Sequence, residues 1–142
     1  MEHSKRITRI ELYLSIAQLM ALRSTCLRKK VGAVITYNNR IISTGYNGTI
    51  GNLPHCTTDT CNESSPCTDT VHAEANAIAF SARLGISLKG SILFVTCAPC
   101  FNCAKLIVQA GIIEVVYIEE YRDKTGLSIL ERAGVHTYQA SL

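Results

Sequence analysis

The sequence reads VHAEANAI at residues 71–78 and PCFNC at residues 99–103, and these two stretches decide the fold. The chain is alanine-rich and helical in pattern from His72 to about Leu84, where Gly85 stops it. An apolar strand is predicted at 91–96. Pro99 is then expected to open a second helix that runs to about Ala110, because proline is tolerated in the first helical turn. Each motif therefore lies where extended chain turns into helix.

Strands and helices also alternate along the rest of the chain, on both sides of these motifs. Residues 4–22 predict a helix with Ser4 as its N-cap, and Asn38-Asn39 predicts a tight turn between two strands. The remaining predictions are strands at 31–37, 40–46, 112–118 and 135–139 and a helix at 128–132. We expect one domain over 1–142, a three-layer α/β/α sandwich with a mixed central sheet of about five strands.

Composition narrows the class of protein. The chain has 142 residues, of which 47% are hydrophobic, and no apolar run approaches the roughly 20 residues needed to span a bilayer. The N-terminal segment does not read as a signal peptide, so a cytoplasmic location is expected. A net charge of +3 suits a phosphorylated small molecule, and an aromatic content of 6% disfavours a polynucleotide partner.

His72, Cys100 and Cys103 have the chemistry of a catalytic zinc site. One imidazole and two thiolates supply three ligands and leave the fourth position for water. Cys100 and Cys103 would share one face of a first helical turn, where the positive end of the helix favours thiolates. Glu74 lies two residues after the histidine and is expected to carry protons beside that water.

The pattern H-x-E…P-C-x-x-C is the signature of zinc-dependent nucleobase deaminases. The stretches VGAVI (31–35), STGYNG (43–48) and CAKLI (103–107) accompany it, and together they resemble deoxycytidylate (dCMP) deaminases of the phage and bacterial type. The resemblance implies a cytidine deaminase-like fold and hydrolysis of dCMP to dUMP and ammonia, with dUMP supplied for thymidylate synthesis. A viral source would place the enzyme in the host cytoplasm.

The resemblance also implies roles around the substrate. Asn47 is expected to contact the sugar, Ala73 to contact the base through its backbone, and Tyr121 to lie near the bound nucleotide. Arg28 and Lys30 are the candidates for the 5′-phosphate, on the basis of their charge and their place before Val31. The alternative is that these cations belong to a solvated loop.

A second group of cysteines lies outside the two motifs. Clustered cysteines in a reducing compartment suggest a metal before a disulfide. Cys26, Cys61 and Cys67 are predicted ligands of a structural zinc that holds the polar segment 47–70, with either His55 or Cys56 as the fourth ligand. The resemblance also implies such a site, since several phage and bacterial dCMP deaminases carry a second zinc in this region. The alternative is a set of unligated thiols. Cys97 is expected to be a small buried residue at a strand end.

The resemblance further implies regulation and assembly. Enzymes of this type are commonly activated by dCTP with Mg²⁺, inhibited by dTTP and assembled as hexamers. Arg83 matches a position linked to the effector response, although a cation is also favourable at the C-terminal end of a helix.

Other functions share parts of this pattern. A deaminase of another cytosine nucleoside or nucleotide, or of tRNA adenosine, would use the same metal motifs. The non-enzymatic alternative is a structural zinc-binding module, since PCFNC alone could be half of a zinc knuckle. Zinc binding without activity on any cytosine nucleotide would favour that module.

Overall fold

The computed structural model describes residues 5–57 and 68–142. Their secondary-structure elements, in chain order, are α1 (Arg9–Ala21), β1 (Gly32–Tyr37), β2 (Arg40–Tyr46), β3 (Gly48–Thr49), β4 (Thr70–Val71), α2 (Ala73–Leu84), β5 (Ile92–Cys97), α3 (Phe101–Ala110), β6 (Glu114–Glu119), α4 (Thr125–Arg132) and β7 (His136–Gln139).

Five strands form a mixed sheet in the order β2-β1-β5-β6-β7. The pairs β2–β1 and β1–β5 are antiparallel, whereas β5–β6 and β6–β7 are parallel. The strands of each parallel pair are joined by a crossover, through α3 for β5–β6 and through α4 for β6–β7, as parallel pairing requires. This mixed five-stranded sheet confirms the predicted α/β class.

Helices cover both faces of the sheet. On one face, Leu14 and Ala17 of α1 pack against Val34, Phe94 and Val116 from three neighbouring strands. On the other face, buried residues of α2, α3 and α4 share a larger cluster with the alternate side chains of the same strands, including Ile35, Val95 and Val115. Burial on alternate sides follows from the two-residue period of a strand, and it produces the three predicted layers.

Several element boundaries depart from the sequence predictions because of their caps. The first helix begins at Arg9, not near Ser4: the Thr8 side chain accepts from Glu11 N–H and the Glu11 carboxylate accepts from Thr8 N–H, which is a capping box. Ser4 itself lies outside the described residues. Pro99 does not open α3, because Cys100 is its N-cap. The helix α4 begins at Thr125, before the predicted residue 128.

Other local predictions are confirmed. Asn38 and Asn39 have φ values of 48° and 61°, the left-handed pair that a tight hairpin turn needs. Gly85 ends α2 with a φ of 70°. The segment 47–70 also contains a pairing that the sequence pattern did not predict: β3 and β4 form a two-stranded antiparallel sheet. Within residues 5–57 and 68–142, none of the helices combines the length and the apolar character needed to cross a bilayer.

The strand ends that position the site lie together at one edge of the sheet. Cys97 at the end of β5 pairs with Glu119 at the end of β6, and Gly32 at the start of β1 pairs with Tyr46 at the end of β2. The N–H of Gly32 donates to the Thr96 hydroxyl, which joins these two pairs. Both α2 and α3 start at this same edge.

Candidate active site

His72 and Cys100 are the N-caps of α2 and α3, so two helix N-termini meet at one point. The Nδ1 atom of His72 lies 3.4 Å from the Sγ atom of Cys100 and 3.4 Å from the Sγ atom of Cys103. The three ligand atoms all lie within 4.8 Å of one another, and they form the one such His/Cys/Asp/Glu cluster among the residues that the structure describes. The structure thus brings together the three residues that the sequence proposed.

The three side chains are electrostatically coupled. Hydrogen bonds from Cys103 and His72 lower the pKa of Cys100 to about 4, so this thiol ionises readily. The hydrogen bond with Cys100, burial and the nearby Glu74 raise the pKa of Cys103. The hydrogen bond with Cys100 is also the main reason that the pKa of His72 is raised. A divalent ion held by these three side chains would displace the protons of the two thiols.

A zinc ion fits this cluster. Zinc bound to thiolates at about 2.3 Å and to imidazole at about 2.0 Å in a tetrahedron requires N···S separations of roughly 3.5 Å. The two observed separations of 3.4 Å meet that requirement. The donor set of one nitrogen and two sulfurs is typical of catalytic zinc.

Glu74 lies in the first turn of α2, with only 4% of its surface exposed. Burial raises the pKa of its carboxyl group, while the nearby His72 lowers it by a smaller amount. The carboxyl also interacts with Cys103. A buried carboxyl of raised pKa beside a metal-binding cluster can both take up and release a proton, which suits a proton carrier.

A cavity of about 470 Å³ opens in front of this cluster. Its walls include residues predicted for three different tasks, namely His72, Cys100 and Glu74 for the chemistry, Asn47, Ala73, Tyr121 and Arg28 for the substrate, and Cys26 for the second metal. Cys97 also lines it and is 4% exposed at the end of β5, as expected. The volume is in the range of small-molecule sites.

The cations at the cavity differ from the predicted pair. Arg28 lines the cavity, but Lys30 is exposed and is not among the lining residues. The cations that accompany Arg28 are Lys29, which belongs to the same basic stretch of sequence but was not chosen as a phosphate candidate, and Arg122, which the sequence pattern did not indicate. Arg122 directly follows Tyr121, and the Arg122 guanidinium lies 5.9 Å from the Tyr121 ring centroid. Its position next to a predicted nucleotide contact was the signal that could have identified it.

Lys29 differs from the two arginines because it has a carboxylate partner. Its Nζ atom lies 3.2 Å from Oε2 of Glu119 at the end of β6. Burial lowers the pKa of Lys29, but the interactions with Cys97 and Glu119 outweigh this and leave it raised. Among the described carboxylates, none forms an ion pair with Arg28 or Arg122. These two arginines are therefore cavity cations that no described carboxylate binds directly, although Arg122 also interacts electrostatically with the neighbouring Asp123.

The second predicted metal group is only partly described. Cys26 lines the cavity, His55 is exposed, and the half-buried Cys56 has its Sγ atom 3.8 Å from the Thr49 hydroxyl. Cys61 and Cys67 lie outside the described residues. The predicted structural zinc therefore stays a prediction.

Arg83 is exposed near the end of α2 and does not line the cavity. Its guanidinium lies 5.9 Å from the centroid of the Phe80 ring on the same helix. The effector role predicted for Arg83 would therefore be exercised away from the cavity, and it stays a prediction.

Comparison with known proteins gives a consistent result. The family described as "Cytidine and deoxycytidylate deaminase zinc-binding region" matches residues 7–119. The chain is 37% identical to the deoxycytidylate deaminase of Enterobacteria phage T2, over 88% of each chain. It is 39% identical to ComE operon protein 2 of Bacillus subtilis, over 97% of this chain and 74% of that protein.

A solved structure is also similar. The dCMP deaminase of the cyanophage S-TIM5, in complex with dCMP and dUMP, superposes with a TM-score of 0.87 at 36% identity, covering 96% of this chain and all of that one. The match over residues 7–119 includes Glu74 and the three clustered ligands. The chain belongs to the cytidine and deoxycytidylate deaminase family.

Proposed function

We propose that this protein hydrolyses dCMP to dUMP and ammonia, with zinc as its cofactor. The observation that carries the proposal is the cavity itself, which is lined by the buried Glu74, by His72 and Cys100 of the His72, Cys100 and Cys103 cluster, and by Arg28, a cation that no described carboxylate pairs with. That combination suits a pyrimidine that bears an anionic group. The relative from cyanophage S-TIM5, whose crystals held dCMP and dUMP, supports the same substrate.

His72 Nδ1 and the two sulfurs of Cys100 and Cys103 would hold the zinc ion. When bound, zinc lowers the pKa of a coordinated water toward about 7 and so makes hydroxide available at neutral pH. The two helix N-termini at this point favour the thiolates that such a site requires.

Glu74 moves the protons in the proposed reaction. Its carboxylate takes a proton from the attacking water and delivers it to N3 of the cytosine ring while the water oxygen adds to C4. It then takes the proton of the new C4 hydroxyl and passes it to the amine, so that ammonia leaves as the C4 carbonyl of the uracil ring forms. Burial raises the pKa of this carboxyl above its usual value, which favours its taking up a proton from the water.

Other cavity residues orient the substrate. We assign Ala73 to a backbone contact with the base, Asn47 to a contact with the sugar and Tyr121 to the space beside the nucleotide. We assign the 5′-phosphate to Arg28 together with Arg122, because both cations line the cavity and neither forms an ion pair with a described carboxylate. Correct placement of C4 over the reactive water depends on these contacts.

The decisive experiment compares four substrates. Purified, zinc-loaded protein is incubated with dCMP, CMP, deoxycytidine and cytidine, with and without dCTP, and ammonia release is measured. We expect dCMP to be deaminated with the highest kcat/KM. Equal rates on deoxycytidine and dCMP would refute the assignment of a phosphorylated substrate, and no release from any of the four would refute the cytosine chemistry.

We propose three further properties that rest on the resemblance to dCMP deaminases. The product dUMP would supply thymidylate synthesis in the cytoplasm. The protein would assemble as a hexamer that dCTP with Mg²⁺ activates and dTTP inhibits. Arg83 would take part in the response to these effectors. The dCTP arm of the same assay, repeated with dTTP and combined with a light-scattering mass, tests the regulation and the assembly.

We also propose a second, structural zinc held by Cys26, Cys61 and Cys67 with either His55 or Cys56. Four ligands of Cys₄ or Cys₃His type are the usual set for a closed zinc site. The polar segment 47–70 has few apolar residues with which to order itself, and this favours a metal as its anchor.

A further inference from the structure

The side chain of Asn47 is already engaged with the protein backbone at both ends of its amide. The N–H of Val31 donates to Asn47 Oδ1 at 2.8 Å, and Asn47 Nδ2 donates to the carbonyl oxygen of Lys29 at 2.6 Å. The backbone of Asn47 also pairs with this segment, since its N–H donates to the Val31 carbonyl at 3.2 Å. Asn47 is 8% exposed.

This arrangement fixes the orientation of the amide. Exchanging its oxygen and nitrogen would put an NH₂ group against the N–H of Val31 and an oxygen against the carbonyl of Lys29. One N–H and one lone pair of the amide are then left over, which is enough for a ligand contact in addition to the two backbone bonds. The Asn47 amide can therefore hold the backbone of residues 29 and 31 and still contact a sugar hydroxyl.

The segment that Asn47 holds has no regular structure of its own. Residues 24–31 lie between α1 and β1 and form no helix or strand. Two further bonds tie the segment to the same region: the Ser24 hydroxyl donates to the Asn47 carbonyl at 2.8 Å, and the Thr49 N–H donates to the Thr25 hydroxyl at 3.1 Å. Its path is thus set by side-chain hydrogen bonds and not by a helix or sheet.

This segment is also a wall of the cavity. Cys26, Arg28, Lys29 and Val31 all line it. The two hydrogen bonds of the Asn47 amide hold the chain just after Arg28, at Lys29 and Val31. The bond from the Ser24 hydroxyl to the Asn47 carbonyl holds the chain before Arg28. We infer that Asn47 is a positioning residue for phosphate recognition, which holds the 24–31 wall so that Arg28 faces the 5′-phosphate. This inference rests on the proposed function.

The physical argument is one of preorganisation. A charge-assisted hydrogen bond to phosphate is strong only when the donor is held at the correct place, and ordering a loose segment on binding would cost conformational entropy. The Lys29 side chain also forms an ion pair with Glu119 at the end of β6, and this is a further contact between the segment and the sheet. Of the two cations in this segment that line the cavity, Arg28 is then the one that no described carboxylate pairs with.

The test compares two substrates that share base and sugar and differ only in the phosphate. The measured quantity is R, the kcat/KM for dCMP divided by the kcat/KM for deoxycytidine, in zinc-loaded Asn47→Ala, Arg28→Ala, the double variant and the unaltered protein. We expect Asn47→Ala to lower R by about tenfold or more, chiefly through KM for dCMP, since one charge-assisted contact is misplaced. In the Arg28→Ala background, Asn47→Ala should change R by less than about threefold, because the two residues act through one contact.

A role for Asn47 in holding only the sugar predicts a different result. Both substrates would then lose kcat/KM by the same factor, R would be unchanged, and the inference would be overturned. An additive effect on R in the double variant would overturn it as well. If the unaltered protein showed R near one, the phosphate preference of the proposed function would fail first, and this outcome is visible before any variant is made.

Thr25→Val keeps the test valid if Asn47→Ala does not fold. Thr25 anchors the same segment through Thr49 and does not line the cavity, so it cannot touch the substrate. We expect R to fall by at least about threefold in Thr25→Val at unchanged zinc content. An unchanged R in this variant would contradict the inference.

Discussion

Gly126 and Pro99 approach each other so closely that a Cβ atom on Gly126 would lie 2.1 Å from the Pro99 carbonyl oxygen. The same Cβ would lie 3.0 Å from the carbonyl oxygen of Cys100. Gly126 is buried in the first turn of α4, and α4 packs against α3. The start of α4 therefore supports the loop that presents the candidate metal ligand Cys100, and only glycine leaves room for that loop.

We expect Gly126→Ala to destabilise the protein by about 1–3 kcal/mol, because the added methyl group must push the loop away. The displaced loop should also bind zinc more weakly. Melting temperature and zinc content are the measurements. Gly51→Ala is the matched control, since a Cβ at Gly51 meets nothing within 4 Å. Equal melting temperatures and zinc contents for the two variants would contradict the role of this packing.

Glu74→Gln should keep zinc and nucleotide binding but lose turnover by about 10²- to 10⁴-fold or more. Glutamine keeps the size of the side chain but cannot carry protons between the water, N3 and the leaving amine. The measurements are kcat for dCMP, zinc content and the Kd for dUMP. Near-normal kcat in a zinc-loaded sample would refute the proton transfers assigned to Glu74.

Metal analysis tests the two zinc sites separately. We expect about two zinc ions per chain in the unaltered protein and about one in either Cys103→Ser or Cys67→Ser. Cys103→Ser should abolish activity, because it removes a ligand of the catalytic cluster. Cys67→Ser should instead lower the melting temperature, since the binding free energy of a structural metal is folding free energy. A single zinc in fully loaded protein would exclude the second site.

Arg28→Ala and Lys30→Ala form a matched pair for the phosphate. Both remove an exposed cation from the same segment, but only Arg28 lines the cavity. Arg28→Ala should raise KM for dCMP about tenfold or more and leave deoxycytidine nearly unaffected, whereas Lys30→Ala should change neither. Equal effects of the two variants would mean that the charge of the segment steers the substrate without contacting it. Arg122→Ala is expected to behave like Arg28→Ala.

The order of strands and helices follows from the sequence because each segment carries its own pattern. The hairpin of β1 and β2 was predicted to within one residue, since Asn38 and Asn39 accept the left-handed conformation of a tight turn. The predicted start of α1 at residue 4 was wrong, although Thr8 and Glu11 have the sequence spacing of a capping box. The pairing of β3 with β4 was missed because two-residue strands have no periodicity to detect.

The sequence by itself determined the grouping of His72, Cys100 and Cys103, because helix starts of this spacing and ligand type leave few other uses for them. Only the tertiary structure decided which cations reach the cavity. Arg28 and Lys30 are equivalent in sequence terms, and the irregular segment that carries them has no period that would tell one face from another. Its path depends on two hydrogen bonds of the Asn47 amide, one accepted from Val31 N–H and one donated to the Lys29 carbonyl. These partners lie 16 and 18 residues from Asn47 in sequence, and a long-range contact of this kind exists only in the folded chain.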